Sequence, residues 1–250
     1  KHPATESHLL SYKYVVIFGR TVQKGSPMDI GKAFSYVFDD PDWIKKILIG
    51  GIVGIIPIVN FALFGYFIQI ARNVAVGSER PLPEWGNFGE FFVTGFKFAV
   101  ISLVYVIPGI LFYCIAGSIL GIGGASAAES DAAGAALGIG ALCIMGIYML
   151  LLLVGSFFSM TALMKFTETN DFGSALAFGN IFAYTQANLG QVLMLWLMYI
   201  VASIVGSLGS VICIGILFTL PYGYYMFGHV LGQNLRANNN SVPTANYTQF

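Results

Sequence analysis

Charge is what this sequence has least of. Of its 250 residues, 12 are Lys or Arg and 12 are Asp or Glu, 10% in all, and the formal net charge is zero. Soluble domains average about 25% charged residues, because a water-facing surface has to be solvated. A chain this long with so few charges cannot cover itself in water, so lipid covers part of it. The same balance argues against nucleic acid as a partner, since there is no basic patch or high isoelectric point to meet phosphate. Cysteine is scarce as well: Cys114, Cys143 and Cys213 each sit inside an apolar run, an odd number at spacings that match neither a zinc nor a redox motif. The three histidines are too scattered to complete a ligand set. Also missing are a phosphate-cradling Gly-rich loop with a Lys, an H-E-x-x-H pair and a G-x-S-x-G elbow. The expectation is a protein that is not an enzyme, with no metal and no cofactor.

What is present is apolar. The chain is 56% hydrophobic with 30 glycines, and its mean hydropathy is +0.75. Many of the glycines lie inside apolar runs, as expected where small residues let membrane helices approach closely. One short pattern occurs three times, each time ahead of a long apolar stretch: Asp29-Ile30-Gly31-Lys32-Ala33-Phe34, Asn87-Phe88-Gly89-Glu90-Phe91-Phe92 and Asp171-Phe172-Gly173-Ser174-Ala175-Leu176. Each copy opens on a residue suited to cap a helix and then turns amphipathic. The pattern predicts an all-α integral membrane protein made of three repeats, each an interfacial helix followed by a membrane hairpin.

Along the chain, Ile44–Ala71 is the first apolar stretch, interrupted by Pro57 and Asn60. It is long enough for one span, which takes about 20 residues, but the break favours two half-length helices forming a re-entrant hairpin. The connector Arg80-Pro81-Leu82-Pro83-Glu84-Trp85 cannot be helical. A second surface helix is expected from about Asn87 to Lys97, followed by Phe98–Ile122. A small-residue linker with Glu129 and Asp131 leads to Leu137–Met164. A third surface helix is expected over Phe172–Tyr184, then Gln191–Leu208, a Gly209–Ser210 turn and a return over Val211–Leu231. The membrane domain spans 28–235, and the Asn-rich residues 236–250 read as a disordered tail. Residues 1–27 carry one short apolar patch, Tyr14–Phe18, with no signal-peptide cleavage site. They read as an adventitious extension ahead of Met28, or else as a flexible segment. With a hairpin at 44–71, Lys32, Lys45, Lys46, Arg72, Arg80, Lys97, Lys165 and Arg236 all fall on one face, which the positive-inside rule makes cytoplasmic, together with the C-terminus.

Candidate site residues are few. Asn60, Tyr222, Tyr225 and His229 are the polar groups placed to line a cavity or pathway. Each also has a structural reading: Asn60 satisfying backbone groups freed by Pro57, the tyrosines as interfacial residues, and His229 as a hydrogen-bonded residue near a helix end. Lys165, Glu168, Asp171, Asn188 and Gln191 sit at span boundaries, where snorkelling and capping account for them. The Asp39-Asp40-Pro41-Asp42-Trp43 turn clusters oxygens that suit a hard cation, but it reads better as the end of the first surface helix. Trp43 and Trp85 read as interfacial anchors.

Several segments together resemble one known family: the turn Asp40–Trp43, the break Ile56–Asn60, Ala71–Val74, the connector Arg80–Trp85 and the segment Phe88–Lys97. The chain resembles the prokaryotic membrane proteins grouped as domain of unknown function 4013, over roughly Met28 to Asn234. The resemblance implies a polytopic membrane protein without an established activity, and it brings no site residues with it. The resulting expectation is a non-enzymatic accessory, scaffold or lipid-organising protein of the cell membrane. Its expected partners are membrane lipids and either a membrane-protein companion or further copies of itself. The alternative is a small-solute or lipid transporter, with Pro57–Asn60 and Tyr222–Tyr225 lining the path.

Overall fold

The computed structural model describes residues 28–127, 131–211 and 214–239, and the regular structure among them is helical. A short helix α1 (Ile30–Ser35) and a 3-10 turn precede α2 (Trp43–Ile55) and α3 (Phe61–Val76). Two long helices follow, α4 (Phe88–Ala127) and α5 (Asp131–Thr169). The chain then forms α6 (Phe172–Leu176) and α7 (Phe178–Ala187), and closes with α8 (Leu189–Leu208) and α9 (Ile216–Asn239). Three helices, Trp85–Ile122, Gly134–Thr169 and Leu189–Val211, are long and apolar enough to cross a membrane. The expected extension at 1–27, Glu129, Cys213 and most of the expected tail lie outside the described residues, while α9 continues to Asn239.

Local sequence explains most boundaries. The Asp29 carboxylate accepts the Lys32 N–H at 2.8 Å and starts α1. Asp171 accepts from Gly173 and Ser174 N–H groups at 3.1 and 2.9 Å and starts α6. The second copy of the pattern behaves differently. Asn87 ends a 3-10 turn, and the helix from Phe88 runs on without a break for 40 residues. No helix-breaking residue separates the amphipathic part from the apolar part, and Pro108 is accommodated inside the helix. The expected second surface helix is therefore the first turns of α4.

Pro57 separates α2 from α3, because the residue before a proline is pushed out of helical conformation, and Ile56 is extended with ψ 116°. The backbone closes over the break without help from the Asn60 side chain: N–H groups of Asn60, Phe61 and Ala62 reach the carbonyls of Ile56, Ile58 and Val59. Ile58 takes up a left-handed φ of 71°, which costs a β-branched residue about 1–3 kcal/mol. At about 1.5 Å per residue, α2 is about 20 Å long and α3 about 24 Å, each shorter than a hydrocarbon core of about 30 Å.

The core is built on α3, which is packed by α4 on one side and α9 on the other, with α8 and α2 completing the layer around α9. Helix backbones meet almost directly. A Cβ at Gly65 would overlap the Phe91 carbonyl, and one at Gly95 would overlap that of Phe61. On α9, Gly228 and Gly232 rest on the carbonyls of Phe67 and Ala71 in the same way. Large side chains then fill the space between crossings, among them the fully buried Tyr66, Phe67, Phe166, Tyr225 and Phe227. The outward faces of α4 and α5 are apolar and open, with Ile119, Ile122 and Leu142 all about two-thirds exposed or more (68%, 76% and 74%). Cys114 and Cys143 are on these faces.

Gly95→Ala is expected to destabilise the protein by about 1–3 kcal/mol, the cost of overpacking a filled contact. Gly89→Ala, whose added methyl meets nothing within 4 Å, is expected to be neutral or to gain up to about 1 kcal/mol of helix propensity. Unfolding in detergent, followed by circular dichroism, checks the pair. Equal losses would mean that the α3–α4 crossing does not depend on glycine.

Candidate functional site

The densest polar cluster surrounds the connector between α3 and α4. Pro81 and Pro83 contribute no N–H, so this stretch presents mainly carbonyls, and three in a row are captured by side chains from the preceding hairpin. Asn73 Nδ2 donates to Pro81 O at 2.9 Å, Lys46 Nζ to Leu82 O at 3.1 Å, and the Tyr66 hydroxyl to Pro83 O at 2.8 Å. Lys46 lies near the start of α2 and Leu82 lies beyond the end of α3, so the hairpin brings its two ends to one side.

Lys46 is the hub. Its ammonium contacts Asp40 Oδ2 at 2.8 Å and Glu84 Oε1 at 2.8 Å. Lys46 and Asp40 are buried, at 4% and 5% exposure, whereas Glu84 opens to solvent. Burial disfavours the ammonium, but the bonds to Asp40 and Glu84 outweigh it and hold Lys46 above its ordinary pKa. The Lys46 carbonyl in turn accepts from Trp85 Nε1 at 3.1 Å and from the Tyr225 hydroxyl at 3.0 Å. Trp85 stacks on Tyr66 with ring centres 4.3 Å apart, and Tyr66 lies 4.8 Å from Tyr225. Tyr36 donates to Tyr225 O at 2.8 Å. Its own phenol is pushed well above the usual range, first by burial and then by Tyr225 and Tyr222, so it stays a neutral donor.

The structure brings three of the four expected lining residues into this cluster. Tyr225 is fully buried and bonded to Lys46, while Tyr222 donates to Phe34 O at 2.7 Å. His229 stacks on Tyr36 at 4.3 Å, with Nδ1 3.0 Å from Gln233 Nε2. Gln233 also pairs with both backbone groups of Asp29, at 2.7 and 2.9 Å, tying α1 to α9. Asn60 is elsewhere, at the reversal between α2 and α3. The hydroxyls of Tyr36, Tyr66, Tyr222 and Tyr225 are thus committed to backbone carbonyls. Trp85, read from the sequence as an interfacial anchor, is instead an internal clamp residue. Asp40, read as a helix end, is the buried counter-charge. A Lys inside an apolar run just after an acidic turn was the available signal for that pair.

Four further cations gather at the same end. Lys32 lies 3.7 Å from Asp39. Arg72 donates to Thr167 O at 3.2 Å and to Asn170 Oδ1 at 2.8 Å. Lys165 pairs with Glu168 at 3.0 Å and sits 4.2 Å over the Tyr184 ring, whose hydroxyl accepts from Asn238 at 3.2 Å. The Arg236 guanidinium lies beside Gly77, just past α3. The ends of α3, α5 and α9 and the starts of α1 and α2 therefore share one face. Among the described residues no group of three or more His, Cys, Asp or Glu is placed to hold a metal ion.

The family described as protein of unknown function (DUF4013) matches residues 49–226, more than half of the chain. The chain belongs to the DUF4013 family. No curated protein and no solved structure matches it. The DUF4013 region contains the three captured carbonyls, Tyr66, Asn73, Trp85 and Tyr225, while Lys46, Asp40, Tyr36 and His229 lie outside its limits.

Lys46→Met is expected to cost about 3–5 kcal/mol, because Asp40 is left buried without a partner. Asp40→Leu added to Lys46→Met restores much of that loss. Glu84→Gln is expected to cost under about 1 kcal/mol, since that partner is open to solvent. Chemical unfolding of the four proteins in one detergent gives this ranking. Equal small losses would remove Lys46 from its central position.

Proposed function

We propose that this DUF4013 protein is a non-enzymatic component of the cell membrane, an accessory or scaffold that packs against partners or organises lipid. The observation that carries the reading is how the buried polar groups are used. Tyr36, Tyr66, Tyr225 and Lys46 are all engaged by backbone carbonyls or by a buried carboxylate. A catalytic centre needs groups held free for substrate, whereas these are spent on holding helices and a connector together. The open apolar faces of α4 and α5 offer the opposite kind of surface, suited to lipid, a companion's helices or a second copy. The three hairpins descend from a common pattern in this reading, with the middle copy fused into α4.

The cation-rich end faces the cytoplasm in this proposal, and the α2–α3 hairpin re-enters rather than crosses. Two features support this: the hairpin's ends meet at Lys46 and Leu82, and its tip is apolar and open, with Ile55, Ile56 and Ile58 at 49%, 44% and 68% exposure. An exposed apolar turn suits hydrocarbon better than water. The same broken hairpin supports a second reading, a small-solute or lipid transporter, because interrupted helices mark binding sites in many transporters.

Impermeant maleimide is expected to label cysteines placed at Ser35 and Ser78 from the same, cytoplasmic, side. Labelling from opposite sides would sink the hairpin. Native mass spectrometry of gently extracted protein is expected to show a stoichiometric protein companion or a defined homo-oligomer. Solute flux into liposomes that Asn60→Leu abolishes, with the melting curve unchanged, would replace the accessory reading with transport.

A further inference from the structure

The outer face of α2 carries a groove of about 510 Å³ whose lining includes Pro41, Asp42, Ile44, Lys45, Leu48 and Ile52. Its floor and far end are aliphatic. Ile44 and Ile52 are 52% and 55% exposed, so among the described residues no other helix covers this face. The polar groups are confined to one rim, which is the cation-rich end of the molecule.

The rim holds a separated pair of opposite charges. At this end Lys32, Lys46 and Lys165 are paired with Asp39, Asp40 and Glu168, and Arg72 is bonded to Thr167 and Asn170. On the rim itself, Lys45 and Asp42 are both exposed, and neither side chain has an ion pair or hydrogen bond among the described residues. The Asp42 contact that is present uses its backbone N–H, donated to Asp40. An anionic headgroup would gain from Lys45 and lose to Asp42. A headgroup that brings both a phosphate and its own primary ammonium satisfies both residues at once, because an ammonium donates to a carboxylate and a phosphate accepts from a lysine. A quaternary choline keeps the charge attraction but has no N–H to donate, so it satisfies Asp42 less well.

We propose that this groove binds a phosphatidylethanolamine-type lipid, with its phosphate on Lys45, its ammonium on Asp42 and one acyl chain along Ile44, Leu48 and Ile52. The assignment deepens the accessory reading by naming a lipid partner, and it rests on the placement of α2 in the membrane that belongs to that reading.

The test is native mass spectrometry of delipidated protein in detergent, titrated separately with phosphatidylethanolamine, phosphatidylcholine and phosphatidylglycerol. Wild type is expected to bind the ethanolamine lipid about three- to fivefold more tightly than the choline lipid, the range set by one exposed hydrogen bond. Asp42→Asn should weaken both lipids, the ethanolamine lipid more, and bring the two to the same value. Lys45→Gln should weaken both lipids. Ile52→Asn, in the chain lane, should weaken all three lipids equally and preserve their order. All three positions are exposed, so an unchanged melting curve is expected and confirms that each variant is folded. Equal affinity for ethanolamine and choline lipids in wild type, a preference for the glycerol lipid, or an ethanolamine preference that survives Asp42→Asn would each overturn the assignment. Companions are read separately, from native spectra of the undelipidated protein. Loss of the lipid preference with a companion present therefore removes this site alone, and solute flux that Asn60→Leu abolishes, with the ethanolamine preference intact, removes the accessory reading alone.

Discussion

Two neighbouring helix backbones press on α3 with almost no side chain between them, and the rest of the structure follows from that contact. Gly65 and Gly95 bring α4 against it, and Gly228 and Gly232 bring α9. Association of helices in lipid gains nothing from expelling water and depends instead on close van der Waals contact and hydrogen bonding. A 16-residue helix held this way is shielded from its surroundings along much of its length, with nine of its residues buried. Its polar groups must then be answered from within the protein. Asn73 and Tyr66 meet that demand by taking the carbonyls of the connector that leaves the helix.

The connector is the complementary half of the same problem. Two prolines deprive it of donors, so it can neither continue a helix nor pair as a strand. Its carbonyls need partners wherever water is excluded. A lysine serves one of them only if its charge is neutralised, which is why Asp40 is buried beside Lys46. Such a pair is weak evidence of stability in itself, since desolvation offsets much of the attraction. What it provides here is a fixed meeting point for α2, the connector and, through the Lys46 carbonyl, α9.

Much of this architecture was legible in the sequence, and the limits are instructive. Asp29 and Asp171 read as helix caps and act as caps, because capping is decided within three residues. Pro57 read as a break for an equally local reason. Asn87 did not start a separate surface helix, since only a breaker before Phe98 could have ended one, and the chain has none there. Tyr222, Tyr225 and His229 stood out as polar residues in an apolar segment, and the structure gathers them. Their use was not legible: Tyr225 meets a carbonyl 179 positions away and Tyr222 one 188 positions away. The same distance hid the clamp, whose donors and acceptors come together only after α2 and α3 have folded back on each other.

That folding back leaves a reversal at 56–60 that contains no Asp, Glu, Lys or Arg. A lysine or arginine placed in the bilayer centre costs about 2.5–3.5 kcal/mol on the insertion scale. Carrying one through a membrane potential adds or removes about 2.3 kcal/mol per 100 mV. Neither quantity enters for this tip in the proposed placement. In the proposed placement the tip carries no formal charge on which the membrane potential could act, so helix packing and local lipid thickness set its depth.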